Sequence, residues 1–192
     1  MRREADAIGR ANMLKQFLAK RKYGDAAHDL YVAAVNQARE PHFYRDLEVE
    51  DSLDGRFDLI IVHVFLVINR LKQLYGDNKE AEELSQVMFD IMFGDMDRSL
   101  REMGVGDLSV GKKVKAMAKA FFGRVEAYDR GLTEGGDALE QALLRNLYRG
   151  REPKPENLTA MADYMRRQYG HLQSIPGPDL FAGHLSFAEL TG

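Results

Sequence analysis

Asp90–Asp129 reads DIMFGDMDRSLREMGVGDLSVGKKVKAMAKAFFGRVEAYD, and this stretch decides the fold. Leading into it, Leu84, Val87, Met88, Ile91 and Met92 recur at helical spacing, and Phe89, Phe93, Met96, Leu100 and Met103 form a second stripe. Two apolar stripes on one helix mean burial on more than one side, or one face kept for a partner. Beyond Gly106, Val110, Val114, Met117, Phe121, Val125, Tyr128 and Leu132 stand three or four residues apart, the cleanest amphipathic pattern in the chain. Between the two patterns, Gly104 suits the left-handed conformation that ends a helix, and Val105 suits the apolar contact of a Schellman cap. Gly106 permits a tight reversal, and Asp107 or Ser109 can cap the next helix. So short a connection predicts two packed neighbouring helices.

The helical reading extends in both directions. The prolines are Pro41, Pro153, Pro155, Pro176 and Pro178, so the long middle of the chain is free of helix breakers. Asp25–Glu40 reads as a helix capped by Asp25 and ended by Pro41. His42–Asp51 reads as an irregular link, and Asp54–Phe57 as a turn into Leu59–Leu74. The run LIIVHVFLVI at Leu59–Ile68 is apolar but far shorter than the roughly 20 residues that cross a bilayer, so it reads as a core helix. Helices are also expected at Lys79–Met103, Val110–Leu132, Ala138–Tyr148 and Glu156–Tyr169. Gly94 is expected to bend its helix or permit close packing, and Gly123 to mark a close helix contact. The expectation is an all-α fold, a single compact helical domain of about six to eight helices over residues 25–170. A basic lead-in occupies residues 1–24 and a loose tail residues 171–192.

Composition narrows the chemistry. The 192 residues carry no Cys, which removes disulfides, zinc–thiolate sites and a thiol nucleophile. A net charge of -3 argues against nonspecific DNA binding by the whole chain. None of the five histidines belongs to a helical metal-binding pattern, and His63, inside the apolar run, reads as a core histidine. Asp95 and Asp97 are two apart on a helix and point to different sides, so they do not share an ion. Asp97 with Arg101, and Arg98 with Glu102, are i,i+4 ion pairs instead. Gly104-Val105-Gly106 lacks the rest of a phosphate loop. No catalytic, cofactor-binding or metal residue is assigned. Two other readings stand beside that one. A helical metal-dependent enzyme or small-ligand protein would use the acids around Asp90–Asp97. A peripheral membrane or ribosome adaptor would be led by residues 1–24, where Arg2, Arg3, Arg10, Lys15, Lys20, Arg21 and Lys22 face only Glu4 and Asp6. Acids crowd before the turn, and Lys112, Lys113, Lys115 and Lys119 follow it, a dipolar surface suited to steering a charged partner.

Several motifs occur in order: Gln37-Ala38-Arg39 with Pro41, Phe43 and Tyr44; Asp54-Gly55-Arg56-Phe57-Asp58; His63-Val64-Phe65-Leu66; Asp95 through Asp107; and Phe121-Phe122-Gly123-Arg124 with Tyr128, then Arg145-Asn146. In this order and spacing the chain resembles the ubiquinol–cytochrome c chaperone family from about Leu30 to Tyr148. The resemblance implies an all-helical, non-enzymatic assembly factor that binds newly made cytochrome b. It also implies a small partner protein, a place near the ribosome and peripheral contact with the membrane. The short lead-in points to a bacterial version at the cytoplasmic face of the inner membrane; in a eukaryote the matrix side would correspond. The resemblance gives Gln37, Arg39, Pro41, Phe43, Tyr44, Gly55, Arg56, Phe57, His63, Gly123, Arg124 and Tyr128 as motif positions with a structural role. It raises Asp95, Asp97, Arg98, Arg101, Glu102, Gly104, Gly106, Asp107 and Lys112 to a candidate partner-binding edge.

Overall fold

A computed structural model describes residues 2–74 and 79–190, with side chains from Leu18 onward. The described residues form eight helices: α1 (Arg2–Ala38), α2 (Pro41–Arg45), α3 (Leu53–Gln73), α4 (Lys79–Glu102), α5 (Asp107–Glu134), α6 (Ala138–Asn146), α7 (Pro155–Gln173) and α8 (Gly177–Phe181). The expected all-α class and single domain are what the structure has.

The apolar run Leu59–Ile68 lies within α3, which is central and packs against α1, α4, α5 and α7. Leu59, Ile61, Val62, Val64 and Val67 are fully buried, so this helix is apolar nearly all round because neighbours surround it. Its start lies earlier than the sequence suggests. Ser52 caps it, the Ser52 hydroxyl accepting from the Gly55 N–H at 3.2 Å, so Asp54–Phe57 is its first turn rather than a separate one. A Cβ at Gly55 would lie 2.0 Å from the Glu50 carbonyl oxygen, so only glycine lets the incoming chain pass so close.

α1 corrects the expected boundary at residue 25. Asp25 caps nothing; it is exposed in mid-helix, while Ala19, Tyr23, Ala27, Leu30, Ala34 and Ala38 carry one buried stripe through the position. The basic side chains of the lead-in before Leu18 lie outside those described. Pro41 ends α1 and also opens α2 at its first position, where the missing N–H costs nothing, so part of the expected irregular link is helical.

The hairpin closes as a Schellman cap. The Val105 N–H donates to the Leu100 carbonyl at 3.0 Å and the Gly104 N–H to the Arg101 carbonyl at 2.9 Å, with Gly104 at φ 81°. Gly106, rather than Asp107 or Ser109, occupies the cap position of α5, and no side chain caps it. Close packing at Gly94 and Gly123 is not what the described residues show, since none of them lies within 4 Å of where a Cβ would sit on either glycine. The close helix contact is at Gly131, where a Cβ would approach the Leu139 Cα of α6 to 2.7 Å.

The loose tail is also corrected. α7 continues to Gln173, α8 follows, and Leu180 is buried. Farther on, the Gln168 side chain donates to the Ala188 carbonyl at 2.9 Å and accepts from the Ala188 N–H at 2.8 Å, while the Phe187 ring stands edge-on to His63 at 5.3 Å. An extended segment with its backbone satisfied and its apolar side chains on the core is ordered despite its glycines and prolines.

Candidate functional site

An apolar groove of about 610 Å³ runs between the C-terminal end of α1, the start of α3 and the α4–α5 hairpin. Its apolar lining includes Tyr44, Leu53, Phe57, Ile60, Met96, Leu100, Met103 and Met117. Arg39, Arg56, Lys113, Arg124 and Arg149 stand in the same wall with a single acid, Asp54. Leu53 is 60% exposed and Met103 49%, so the apolar strip continues past the groove onto the surface.

Beneath the groove lies a charged pin. Asp58 is fully buried near the start of α3; it accepts a hydrogen bond from the Arg149 Nε at 2.7 Å, and the Arg124 guanidinium pairs with its other oxygen at 2.9 Å. Burial pushes the Asp58 carboxyl above its ordinary range, and the two guanidinium groups pull it back. Arg149 also reaches Asp54 at 2.9 Å and holds φ 57°, an uncommon left-handed position for a non-glycine residue. The buried carboxylate therefore fixes two arginines, one from α5 and one from the loop after α6, against the groove. A buried ion pair costs desolvation, so its value here is in orientation more than in net stability.

Nine of the motif residues fall into two groups. Arg39, Tyr44, Arg56, Phe57 and Arg124 line the groove. Tyr44 donates to the Ala38 carbonyl at 2.7 Å, and the Arg56 Nε donates to Asp51 at 2.6 Å, which raises the guanidinium pKa. The second group is internal. The Gln37 amide donates to the Tyr164 hydroxyl at 3.1 Å, that hydroxyl to His63 Nε2 at 2.8 Å, and His63 Nδ1 to the Leu59 carbonyl at 2.8 Å. The Leu59 carbonyl can only accept, so the neutral ring carries its proton on Nδ1 and Nε2 accepts from the Tyr164 hydroxyl. Phe43 packs edge-on against both His63 and Tyr164. His63 is thus the core histidine expected, its pKa lowered to about 4 by burial. Tyr128 is buried beside Phe65, its hydroxyl without a hydrogen-bond partner among the described residues.

The hairpin residues do not form one cluster. Asp95 accepts from the Tyr31 hydroxyl at 2.9 Å, joining α4 to α1; burial, and then Asp95, raises the Tyr31 pKa. Asp97 takes the expected Arg101, whose Nε donates at 2.5 Å, and Arg101 also reaches Asp107 across the turn. The Arg101 hydrogen bond lowers the Asp97 pKa, and the pair of contacts latches the hairpin. Arg98 turns to a second, smaller pocket with Lys20, His28 and Asp90, while Glu102 and Lys112 are exposed. Asp90 accepts from Gln86 at 2.8 Å, so Asp90, Asp95 and Asp97 answer to three different partners. Among the described residues no group of three or more His, Asp or Glu is placed to hold a metal ion. No described helix is long and apolar enough to cross a membrane.

Asp58 and Arg149 join the site without having been expected there, and Lys113, expected only on the dipolar surface after the turn, lines the groove as well. Asp58 carried one signal: it shares a helical face with Val62 and Phe65, and an acid on a buried face needs a cation. Nothing in the sequence placed Arg149 or Lys113 in this groove, because each joins it through tertiary packing.

A family profile described as ubiquinol-cytochrome C chaperone matches residues 45–187. The human protein called ubiquinol-cytochrome c reductase complex assembly factor 1 is 25% identical over 186 residues, covering 96% of this chain and 60% of its own. The mouse protein of the same name is also 25% identical, over 91% of this chain and 58% of its own. The chain therefore spans about three-fifths of the length of these two relatives. A crystal structure of the Cbp3 homolog from Brucella abortus superimposes with a TM-score of 0.77 at 33% identity, covering 92% of this chain and 97% of that one.

Proposed function

The chain belongs to the ubiquinol-cytochrome c chaperone family, and from that premise we propose that it is a non-enzymatic assembly factor holding newly made cytochrome b on its way into the ubiquinol–cytochrome c reductase complex. The observation that carries the reading is the groove. A helper for a membrane protein must cover apolar surface and then release it, and Met96, Met103 and Met117 give the groove a lining that can repack around different segments. The arginines in its wall hold the polar flanks of a bound segment, and Asp58 keeps two of them in place when the groove is empty. The α4–α5 hairpin forms one side, so the partner-binding edge is its inner, methionine-bearing face; Asp97, Arg101 and Asp107 act by keeping the turn closed. The working location is the cytoplasmic face of the inner membrane, or the matrix side in a eukaryote. A small partner protein and the ribosome are further contacts of the same role.

The test is made in cells. Removing the protein is expected to lower haem-loaded, assembled cytochrome b while its messenger stays constant. Leu53→Glu with Met103→Glu, both at exposed positions, is expected to preserve the fold and abolish co-purification with new cytochrome b. Normal cytochrome b in the deletion strain would reject the function. Intact co-purification by the double variant would reject the groove as its site.

A further inference from the structure

The helix α5 has three working faces. Val110, Phe121 and Tyr128 are buried on the first, and Lys113 and Arg124 join the groove on the second. The third meets solvent and follows a strict helical rhythm: Leu108, Lys112, Lys115, Lys119 and Phe122. At 3.6 residues per turn these five fall within an arc of about 80°, opposite the core face, and span about 21 Å. All five are exposed; Leu108 is 93% exposed and Phe122 59%, the latter leaning on Phe89 of α4 at 5.4 Å. Among the described residues none of the three lysines has an ion-pair partner. From Ser109 to Arg124 the sequence has no acid, in a chain whose net charge is -3. The stripe ends at Asp107, which Arg101 engages, and at Glu126, one turn past Phe122.

Lysines flanked by two solvent-facing apolar side chains are the pattern of a helix lying in a lipid interface. The apolar ends enter the headgroup layer, and the ammonium groups stay at phosphate level on their flexible stems. A leucine so exposed costs free energy in water and contributes little to a polyanion in solution, while the acidic remainder of the chain weakens long-range attraction to nucleic acid. We propose that this face of α5 is a docking surface for an anionic lipid membrane, with Leu108 and Phe122 as its two anchors and Lys112, Lys115 and Lys119 as its phosphate contacts. The surface is separate from the groove, so the protein can rest on the bilayer with the groove still open.

The full-length chain is tested by sedimentation with phosphatidylcholine vesicles, with and without phosphatidylglycerol. Binding is expected only to the mixed vesicles and to fall with salt. The triple variant Lys112→Gln, Lys115→Gln, Lys119→Gln is expected to weaken binding on the order of a hundredfold, since each lysine near an anionic surface is worth roughly fivefold. The pair Leu108→Ser, Phe122→Ser is expected to weaken it with no loss of thermal stability. The chain has no tryptophan, so Phe122→Trp supplies a single reporter, and its emission is expected to shift to the blue on mixed vesicles alone. Four results would each overturn the proposal: no binding of the full-length chain to mixed vesicles; equal binding by the triple variant; lysine-dependent binding to RNA but not to vesicles; or loss of binding on neutralising Arg2, Arg3, Arg10 and Lys15 while the triple variant still binds.

Discussion

Protonating His63 would place a charge among Phe43, Tyr164 and Phe187, with no carboxylate among the described residues to receive it. Its folded pKa of about 4 lies below the ordinary 6.5, so the folded state binds this proton less readily than the unfolded chain. Stability from this residue is complete above pH 6.5 and is lost as the pH falls from there through about 4. By pH 5 the loss reaches about 2 kcal/mol, at 1.36 kcal/mol for each unit below the unfolded value. Urea midpoints at pH 7 and pH 5 check this: they are expected to separate more for the natural chain than for His63→Gln. Equal separation would show that His63 does not sense pH. From sequence alone His63 was legible as buried, because apolar residues flank it on both sides. Its Nε2 partner was not, because Tyr164 lies on a distant helix. Asp58 was hidden for a different reason. At the edge of an apolar run an acid reads as the end of the buried segment, and only the fold brings Arg124 and Arg149 to it.

Helices were legible wherever their periodicity and end signals agreed. The hairpin had both, and its Schellman cap formed at the residues whose chemistry required it. α1 had a misleading signal: Gly24-Asp25 mimics a break and a cap, yet tertiary burial of one continuous stripe overrides so weak a local preference. The glycines misled similarly. A glycine on an amphipathic helix looks the same whether it faces a neighbour or water, so Gly123 and Gly131 could not be told apart until α6 was placed. Gly131→Ala is expected to destabilise the protein by about 1–3 kcal/mol, because the new methyl meets the Leu139 backbone rather than a side chain that can swing away. Gly123→Ala faces open space and is expected to be neutral or slightly stabilising. Urea denaturation of the two variants side by side makes the comparison, and a similar response from both would refute the assignment of the contact.

The groove was legible only in fragments, because four stretches of chain converge on it and none carries a site alone. The closing segment was missed through composition: Gly, Pro and Ser suggest a loose end, but the segment is held by side chains elsewhere. Ending the chain at Gly183 would leave the buried Gln168 amide without its two backbone partners and uncover His63. The expected cost is roughly 1–3 kcal/mol for each buried polar group left unsatisfied. Thermal melting checks it, together with the pH comparison, since a His63 reached by water would recover a near-ordinary pKa and lose most of its pH dependence. Unchanged melting of the shortened chain would mean that the segment only decorates the surface.

That clamp also sets an order of events during synthesis. Gly183 would bring a Cβ to within 3.0 Å of the Ala26 Cα on α1, and Ala188 seals Gln168, so late-made residues complete contacts with early-made ones. While the chain emerges from N to C, α1 and α3 can meet α4 and α5 early, but the face of α1 under Gly183 and the side of the core around His63 stay open until residues 183–188 are made. Closure here is therefore ordered by translation itself: residues 183–188 can seal over α1 and His63 only after the residues that line the groove have been made.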